Sequence, residues 1–200
     1  EDITLRALRT LKEADFVACE DTRVTRKLLS RYDIHTPAVT VQKIPGLLAQ
    51  GKHVALVSDA GTPGVSDPGQ EIVSHARDAG AHVEAIPGAS ALAAALSVCG
   101  LRAATFVFYG FLPLKKGRQT LFAEIAASER SCIFYESPHR IMKTLEALAK
   151  AIPGRRIGVY REITKLYEEH RVGTAAEVLA YFEQNEGKQR GEFVVIVEGE

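Results

Sequence analysis

The sequence predicts an α/β protein built from two lobes, each with helices packed on a mainly parallel sheet. Short apolar runs alternate with amphipathic segments of helical spacing along the whole chain, and this alternation is typical of strands joined by crossover helices. Several apolar runs lead directly into loops of Gly, Pro, Ser and Asp, after which a helical pattern begins. The composition, 46% hydrophobic and 25% charged over 200 residues, is that of a globular protein with a sizeable core.

The first lobe is predicted to span residues 1–102. Apolar Ile3, Leu5, Leu8 and Leu11 recur at helical spacing, so the chain opens on a helix. Because an α/β unit normally opens on a strand, we expect that a first strand is missing from this sequence. Helices are predicted at 3–14, 22–32, 44–50, 68–79 and 91–98, and strands at 16–19, 38–41, 53–57 and 82–86.

The second lobe is predicted to span residues 103–200 and to repeat the same alternation. Runs rich in Val, Ile, Phe and Tyr predict strands, and Ser137 with Pro138 has the N-cap and first-residue types of a helix start. Strands are predicted at 105–109, 131–135, 156–160 and 193–198, and helices at 117–127, 138–151 and 174–184. We expect a ligand cleft between the two lobes.

The loop VSDAGTPGVSDPG at residues 57–69 is the strongest candidate for a ligand site. Open α/β sheets bind ligands outside the carboxyl ends of their strands, and glycine allows the backbone to approach a ligand closely. Asp67 and Pro68 predict the start of the next helix. The loop matches neither GxGxxG nor the P-loop GxxxxGK[ST], which favours a ligand held by backbone groups over a phosphate cradle. A plain chain reversal is the alternative interpretation.

A second loop of the same kind, PGASA at residues 87–91, leads into the Ala-rich helix predicted at 91–98. Taken alone, it could be a helix cap at Ser90 and nothing more. Taken with residues 57–69, it predicts two neighbouring strand ends that share one ligand.

Charged side chains follow three further predicted strands, where carboxylates could transfer protons and cations could bind phosphate. They are Glu20, Arg23, Glu136, Arg140, Arg161 and Lys165. The alternative in each case is a solvated helix start or a loop with surface ion pairs, which contribute little to stability. The basic residues at 115–118 are typical of a solvated turn, although they could also contact phosphate.

Charge and cysteine content exclude several protein classes. The net charge of zero and the pI of about 7.2 mean that any nucleic-acid binding must come from a local patch. Cys19, Cys99 and Cys132 lie far apart without ligand spacing, which predicts reduced, mostly buried thiols and no metal site. The absence of a long apolar stretch and of a signal peptide predicts a cytoplasmic protein without a membrane span.

Seven segments in order along the chain resemble the tetrapyrrole methylase superfamily and, within it, the bacterial 16S ribosomal RNA cytidine ribose 2′-O-methyltransferases. The segments are ACEDTR (18–23), ALVSDAGTPG (55–64), IPGASA (86–91), YGFLP (109–113), FYESPHR (134–140), REITK (161–165) and GEFVVIVEG (191–199). The sequence departs from the family where a strand and loop of the type VATPIGNL should precede the first helix. The polar loop after residues 39–41 is also shorter than in the family, so we expect part of the acceptor side of the site to be absent from this chain.

The resemblance implies a cleft that binds S-adenosyl-L-methionine, and a homodimer. By motif match, the cofactor-binding residues would be Asp59, Ala60, Gly61, Thr62, Val65, Pro87, Ser90, Ala91, Tyr135, Gly191 and Glu192. The acceptor would be a ribose 2′-hydroxyl, a weak nucleophile that needs a base. Glu20 and Glu136 are the candidate bases. Lys165, Arg23, Arg140 and Arg161 would bind phosphate or the developing oxyanion, and no metal is required.

The implied substrate is 16S ribosomal RNA within the assembled small ribosomal subunit, because the sequence has no obvious RNA-binding appendage. Two alternatives stay open at this point. One is a methyltransferase of the same fold that acts on a corrin precursor, a large anionic macrocycle that basic residues could also bind. The other is a non-catalytic RNA-binding module.

Overall fold

The computed structural model describes residues 2–66 and 69–200 and divides the chain into two compact units, residues 1–90 and 91–200. The helix at residues 91–98 packs in the second unit. The lobe boundary expected from the sequence lies after this helix, at residue 102, and it stays a prediction.

The first unit contains a three-stranded parallel sheet with four helices. The helices are α1 (Leu5–Glu13), α2 (Thr22–Arg31), α3 (Ile44–Ala49) and α4 (Gln70–Asp78), and the strands are β1 (Phe16–Cys19), β2 (Ala38–Thr40) and β3 (Val54–Leu56). The strand order is β2-β1-β3. Val17 of β1 pairs with Ala38 on one side and Ala55 on the other. The parallel α/β arrangement predicted from the sequence is therefore confirmed in this sheet.

The core of the first unit forms around β1, whose residues Val17, Ala18 and Cys19 are fully buried. Leu11, Leu29 and Ile34 pack with Val17 in one apolar cluster. A strand buried on both faces reads as a continuous apolar run, which is why this element is evident in the sequence. Ala18 pairs with Leu56, so the residues that follow β1 and β3 begin two neighbouring loops at the same edge of the sheet.

The predicted strand at 82–86 and the predicted helix start at Asp67 and Pro68 have different outcomes. The strand predicted at residues 82–86 is wrong, because the structure assigns no strand there and the sheet of the described residues ends at β3. Its alternating apolar residues resemble a strand, but a strand also requires a neighbour with which to form ladder hydrogen bonds. The helix start predicted at Asp67 and Pro68 falls outside the described residues, and the described helix begins at Gln70.

The second unit contains a five-stranded mixed sheet with four helices. The helices are α5 (Ala91–Val98), α6 (Arg118–Ala126), α7 (Ile141–Ala151) and α8 (Ala175–Gln184), and the strands are β4 (Phe106–Phe111), β5 (Ser131–Glu136), β6 (Arg156–Arg161), β7 (Glu169–Thr174) and β8 (Phe193–Val197). The strand order is β4-β5-β8-β6-β7. Only the β4–β5 pair is parallel among these described strands, and the other three pairs are antiparallel. This sheet therefore differs from the mainly parallel one expected.

Two local features of the second unit also differ from the sequence prediction. Strand β7, at an edge of the sheet, was not among the predicted strands. Its residues are largely polar and partly exposed, and an edge strand needs only one apolar face. Helix α7 begins at Ile141, with Arg140 in the N-cap position, so the helix start predicted at Ser137 and Pro138 is wrong. Residues 138–140 form a turn instead.

The mixed sheet of the second unit is covered on both faces. Phe134, Ile157 and Val195 belong to a large cluster with residues of α6, α7 and α8. Ile133, Tyr160 and Ile196 belong to a separate cluster with Ala95 of α5. Neighbouring residues of one strand point to opposite faces, so β5 contributes Ile133 and Phe134 to different clusters. The three cysteines, Cys19, Cys99 and Cys132, are buried free thiols, as predicted.

Candidate functional site

The loop after β3 is folded by small side chains and left-handed backbone. Gly61 and Gly64 have φ values of 76° and 81°, a region that glycine adopts without strain. The Ser58 hydroxyl bonds to the carbonyls of Ala60 and Gly61 at 3.0 and 3.2 Å. The amide of Gln70, at the start of α4, donates to the Gly64 carbonyl at 3.0 Å. The loop is thus held by its own polar groups.

A hydrogen bond joins this loop to the second predicted loop. The Thr62 hydroxyl donates to the carbonyl of Ala89 at 3.2 Å. A Cβ built on Gly61 would lie 4.0 Å from the same carbonyl oxygen. The hydroxyl of Thr4, the N-cap of α1, donates to the Pro87 carbonyl at 3.1 Å. The structure therefore brings together the residues of the first unit that were predicted to share a ligand.

The surface of these two loops is polar but not basic. Residues 58–66 and 86–91 contain one carboxylate, Asp59, and no Lys or Arg. Asp59, Ala60, Gly61 and Val65 are exposed. This surface offers backbone groups, hydroxyls and one negative charge, which match a ligand that carries hydrogen-bond donors and positive charge.

The first loop after β1 places two further predicted residues at the same sheet edge. Glu20 is exposed. Asp21 caps α2 by accepting a hydrogen bond of 2.8 Å from the backbone amide of Arg23, and its carboxylate also pairs with the Arg23 guanidinium at 2.7 Å. These hydrogen bonds, above all the one from the Arg23 side chain, lower the pKa of Asp21 to about 2. Arg23 therefore already has a counter-ion, although 84% of its side chain is exposed.

In the second unit, Glu136 is the centre of a buried polar cluster. Its side chain is 0% exposed. Oε1 accepts hydrogen bonds from the Ser137 amide at 2.9 Å and lies 2.8 Å from Nε of Arg140. Oε2 accepts from the Thr144 hydroxyl at 2.6 Å and from Arg118 at 3.3 Å. Both carboxylate oxygens are thus occupied by donors from the protein, and this geometry favours a structural role over that of a base.

The two arginines of the cluster hold the segment between β4 and α6. Arg140 donates to the Leu112 carbonyl at 2.8 Å, and Arg118 donates to the Pro113 carbonyl at 3.2 Å. The Arg118 guanidinium also lies over the Phe122 ring, 5.0 Å from its centroid. The side chains of Arg118 and Arg140 are only 16% and 17% exposed. Arg140, predicted to bind substrate, is thus engaged with protein groups.

Tyr135, predicted to contact the cofactor, is half-buried beside this cluster. Its ring packs edge-on against Phe108 and Phe111, with centroids 5.1 and 5.5 Å apart. Edge-to-face packing of this kind fixes ring orientation. Ala91, another residue predicted to bind the cofactor, is the first residue of α5 and is half-buried.

The loops after β6 and before β8 are tied together by an ionic cluster. Lys165 Nζ lies 3.1 Å from Glu162 and 2.8 Å from Glu192, and Glu162 accepts a hydrogen bond of 2.8 Å from the Glu192 amide. Burial lowers the pKa of Lys165, but the two carboxylates outweigh it and raise the pKa overall. Gly191 has φ 99°, and a Cβ there would lie 2.6 Å from Cγ of Glu162.

Arg161 bridges the same two loops from below the surface. Its guanidinium donates to the carbonyls of Arg190 and Tyr167 and lies 3.7 Å from a Glu169 carboxylate oxygen. Its side chain is only 11% exposed. The geometry thus engages Arg161 with the protein, and its predicted role in substrate binding stays a prediction.

Sequence reasoning missed two residues that organise these clusters, Arg118 and Glu162. Arg118 was grouped with the solvated basic turn at 115–118, and only its place at the first turn of a helix distinguishes it. Glu162 adopts φ 47°, which no sequence pattern indicates for this residue type. Both act through side-chain contacts with residues distant in sequence, and such contacts leave no local pattern.

A cavity of about 960 Å³ in the first unit lies between α3 and α4. Its lining is mostly apolar, with Ile44, Leu48 and Ile72 among the residues, and contains none of the predicted site residues. It also includes polar Gln42, Gln70, Glu71 and His75, and such a mixture is common in ligand sites. The motif residues predicted to bind a ligand lie instead in the two linked loops at 57–66 and 86–91, so these paired loops are the better candidate. None of the described helices is long and apolar enough to cross a membrane. Among residues 2–66 and 69–200, no group of three His, Cys, Asp or Glu could hold a metal ion.

The chain is similar to proteins of known name and to solved structures. The chain is 45% identical over its full length to "Ribosomal RNA small subunit methyltransferase I" of Bacillus subtilis, of which it covers 71%. It is 40% identical, also over its full length, to the protein of the same name from Thermotoga maritima, of which it covers 93%. A solved structure of the cobalamin biosynthetic enzyme cobalt precorrin-4 methyltransferase shares the fold, with a TM-score of 0.69 and 16% identity over 98% of this chain and 88% of that one.

The family model that matches the chain covers almost all of it. Residues 1–179 match the model described as Tetrapyrrole (Corrin/Porphyrin) Methylases. The match includes both paired loops of the first unit and the Glu136 cluster of the second. With relatives that are 40% or more identical over the whole chain, it confirms the resemblance found in the sequence. The chain belongs to the tetrapyrrole methylase family.

Proposed function

We propose that this chain is an S-adenosylmethionine-dependent methyltransferase that methylates the ribose 2′-hydroxyl of a cytidine in small-subunit ribosomal RNA. The observation that carries the proposal is the 40–45% identity, over the whole chain, to proteins named as ribosomal RNA small subunit methyltransferases. The corrin alternative has weaker support, because the cobalt precorrin-4 enzyme is only 16% identical and such a likeness shows the fold alone.

The paired loops of the first unit fit S-adenosylmethionine chemically. When bound, this cofactor supplies an activated methyl group on a positively charged sulfonium. The loops carry Asp59 and no basic residue, so their charge complements that of the ligand. Among the described residues, a Cβ on Gly61 would meet only the Ala89 carbonyl within 4 Å, so the space above the loop backbone is open. The hydrogen bond between Thr62 and Ala89 would hold both loops in one arrangement.

Glu20 is the better of the two candidate bases. It is exposed and follows β1 at the sheet edge where the loop 57–66 follows β3. Its carboxylate would accept the proton from the ribose hydroxyl. Glu136 is completely buried and already accepts several hydrogen bonds, so it would act by holding the surrounding structure. Arg23 would contribute positive charge toward an RNA phosphate.

The remaining assignments follow from the substrate. We propose that the enzyme acts in the cytoplasm as a homodimer on 16S ribosomal RNA within the assembled small ribosomal subunit. Ser90 of the first unit and Ala91, Tyr135, Gly191 and Glu192 of the second would contact the cofactor. Lys165, Arg140 and Arg161 would act on the acceptor side. No metal takes part in the proposed reaction.

The decisive experiment is transfer of a labelled methyl group to small ribosomal subunits that lack the modification. The modified nucleotide is then mapped. We expect label on a single cytidine ribose and saturable binding of S-adenosylmethionine by calorimetry. Label on a base, or on protein only, would contradict the proposed acceptor. Absence of cofactor binding would instead favour a non-catalytic RNA-binding module, and transfer to a corrin precursor but not to RNA would favour the small-molecule alternative.

A further inference from the structure

The segment at residues 111–116, between β4 and α6, exposes apolar and basic side chains next to one another. Phe111 is 55% exposed and Leu114 is 76% exposed. Lys115 and Lys116 follow directly and are also exposed. Large apolar side chains in water, rimmed by charge, are typical of interaction surfaces. The sequence FLPLKK contains no carboxylate, and within the described residues no ion pair involves Lys115 or Lys116.

The backbone beneath these side chains is firmly held. Leu112 is 2% exposed, and its carbonyl accepts a hydrogen bond of 2.8 Å from Arg140. The Pro113 carbonyl accepts from Arg118 at 3.2 Å. Both arginines are in turn paired with buried Glu136. The segment is therefore presented in a defined conformation, and that lowers the entropy cost of binding a partner.

Both ends of the segment are also fixed. The Phe111 ring packs edge-on against Tyr135 at 5.5 Å, which places the start of the segment beside a predicted site residue of the same unit. At the other end, Gly117 adopts φ 82° and leads into α6. A fixed backbone with a charged and apolar outer surface differs from an ordinary solvated turn, which needs no buried ion pairs beneath it.

We propose that residues 111–116 form a contact surface for single-stranded RNA, in which Lys115 and Lys116 bind phosphates while Phe111 and Leu114 pack against unstacked bases. Proteins that bind single strands with little sequence preference combine positive charge with aromatic and apolar contacts of this kind. The inference rests on the proposed function, since it assigns this surface to the RNA substrate. Glu136 is in this view a positioning residue that acts through Arg118 and Arg140.

The test compares two double variants with the same change in charge. Lys115→Ala/Lys116→Ala removes both ammonium groups of the segment, while Lys143→Ala/Lys150→Ala removes two exposed lysines of α7 in the same unit. Binding to unmodified small subunits and to a single-stranded RNA oligonucleotide is measured over a range of salt concentrations. We expect the first variant alone to bind roughly 10-fold more weakly. The negative slope of log K against log salt should become shallower by about 1.4, because each of the two lost phosphate contacts on a single strand contributes about −0.7.

A second pair of variants tests the apolar contacts. Leu114→Ser should weaken RNA binding about 5-fold without altering the salt slope, because stacking and apolar contacts carry no counterion term. Leu5→Ser, at the 85% exposed position on α1, is the matched control and should have no effect. Calorimetry with S-adenosylmethionine should give the wild-type affinity for all four variants.

The outcomes separate this inference from the proposed function. If the wild-type protein methylates small subunits but the Lys115/Lys116 variant keeps its RNA affinity and salt slope, the surface is not an RNA contact. An equal loss in the α7 control would also overturn the inference, as would a change in oligomeric state on gel filtration that accounts for the loss. If the wild-type protein transfers no methyl to RNA, the proposed function fails, while the RNA-binding comparison still decides the role of the surface.

Discussion

The hydroxyl of Thr62 and the carbonyl of Ala89, 27 residues apart in sequence, form a hydrogen bond of 3.2 Å that links the two loops at the carboxyl edge of the first sheet. One loop follows a regular strand, β3, and the other follows a stretch that is not part of the sheet. The second loop is therefore held in place by this hydrogen bond and not by a strand of the sheet. Its loss should affect ligand binding more than global stability.

Replacing Thr62 by Val should weaken binding of S-adenosylmethionine about 5-fold, because one partly exposed hydrogen bond contributes about 1 kcal/mol. The unfolding midpoint should change little. Thr36→Val is the matched control, since Thr36 also donates to a backbone carbonyl of the first unit, that of Leu11, at 2.6 Å. The control should lower stability and leave the affinity unchanged. Equal affinities for all three proteins in calorimetry would mean that the link does not organise the site.

Gly61→Ala should destabilise the loop by about 1 kcal/mol, because a non-glycine residue at φ 76° is strained. No steric clash adds to this, since the nearest described atom to the new Cβ would be 4.0 Å away. Gly51→Ala has nearly the same φ, 70°, and equally open surroundings, but lies in the turn before β3. Both variants should lose similar stability in urea unfolding, whereas only Gly61→Ala should lower cofactor affinity.

Glu136→Gln should lower stability, whereas Glu20→Gln should lower the rate of methyl transfer. Removing the charge of Glu136 leaves two mostly buried guanidiniums without their carboxylate, and breaking such a network costs about 3 kcal/mol. Urea unfolding should show this loss. Glu20→Gln should keep wild-type stability but slow single-turnover methyl transfer by roughly 100-fold, the usual contribution of a general base.

Glu13→Gln, at another exposed carboxylate of the first unit, controls for the charge change in Glu20→Gln and should be fully active. Full turnover by both Glu20→Gln and Glu136→Gln would place the proton transfer on another group. A stable Glu136→Gln protein with slow turnover would restore Glu136 as the base.

The Glu162 cluster should make stability depend on pH in acid. The hydrogen bond from the Glu192 amide is the main reason that the pKa of Glu162 lies below its ordinary value of 4.5, with further lowering from Lys165. A carboxylate with a lowered pKa in the folded state stabilises the protein above the unfolded value, and this contribution is lost as the pH falls through the folded value. Wild-type protein should therefore lose unfolding free energy more steeply below pH 4.5 than Glu162→Gln does.

Urea unfolding at a series of pH values checks this expectation. Glu183→Gln, at an exposed position of α8, is the control and should follow the wild-type curve. If Glu162→Gln also follows the wild-type curve, Glu162 does not contribute to the acid sensitivity of the protein.

Sequence reasoning succeeded where local pattern and tertiary structure agree. Strand β1 is a continuous apolar run because it is buried on both faces, and α8 begins at a capping box formed by Thr174 and Glu177. The stretch at 82–86 has strand-like alternation without a partner strand, and polar β7 is paired although it lacks a strand-like sequence. In the second sheet, β8 lies between β5 and β6 and is antiparallel to both. The alternation of helices and strands along the sequence does not reveal this placement.

For the candidate site, motif matching identified the paired loops, because glycines and short polar residues at a strand end have a recognisable pattern. The same reasoning could not tell a buried Glu136 from an exposed Glu20. Both lie where an apolar strand ends, ahead of a helix, and only the packing of Arg118 and Thr144 around Glu136 distinguishes their roles. Burial of a charged residue depends on partners supplied by distant segments, so it is the least predictable property of a site.

The buried thiols give the protein built-in reporters of its own local unfolding. Cys19 lies at the end of β1 in the first unit with 0% exposure, and Cys132 lies in β5 of the second with 1%. A thiol reagent can reach either sulfur only after the surrounding strands separate, so its labelling rate measures how often that unit opens. Peptide mapping of the two labelled cysteines would follow the opening of each unit separately, and cofactor held by the paired loops should slow labelling at Cys19 first.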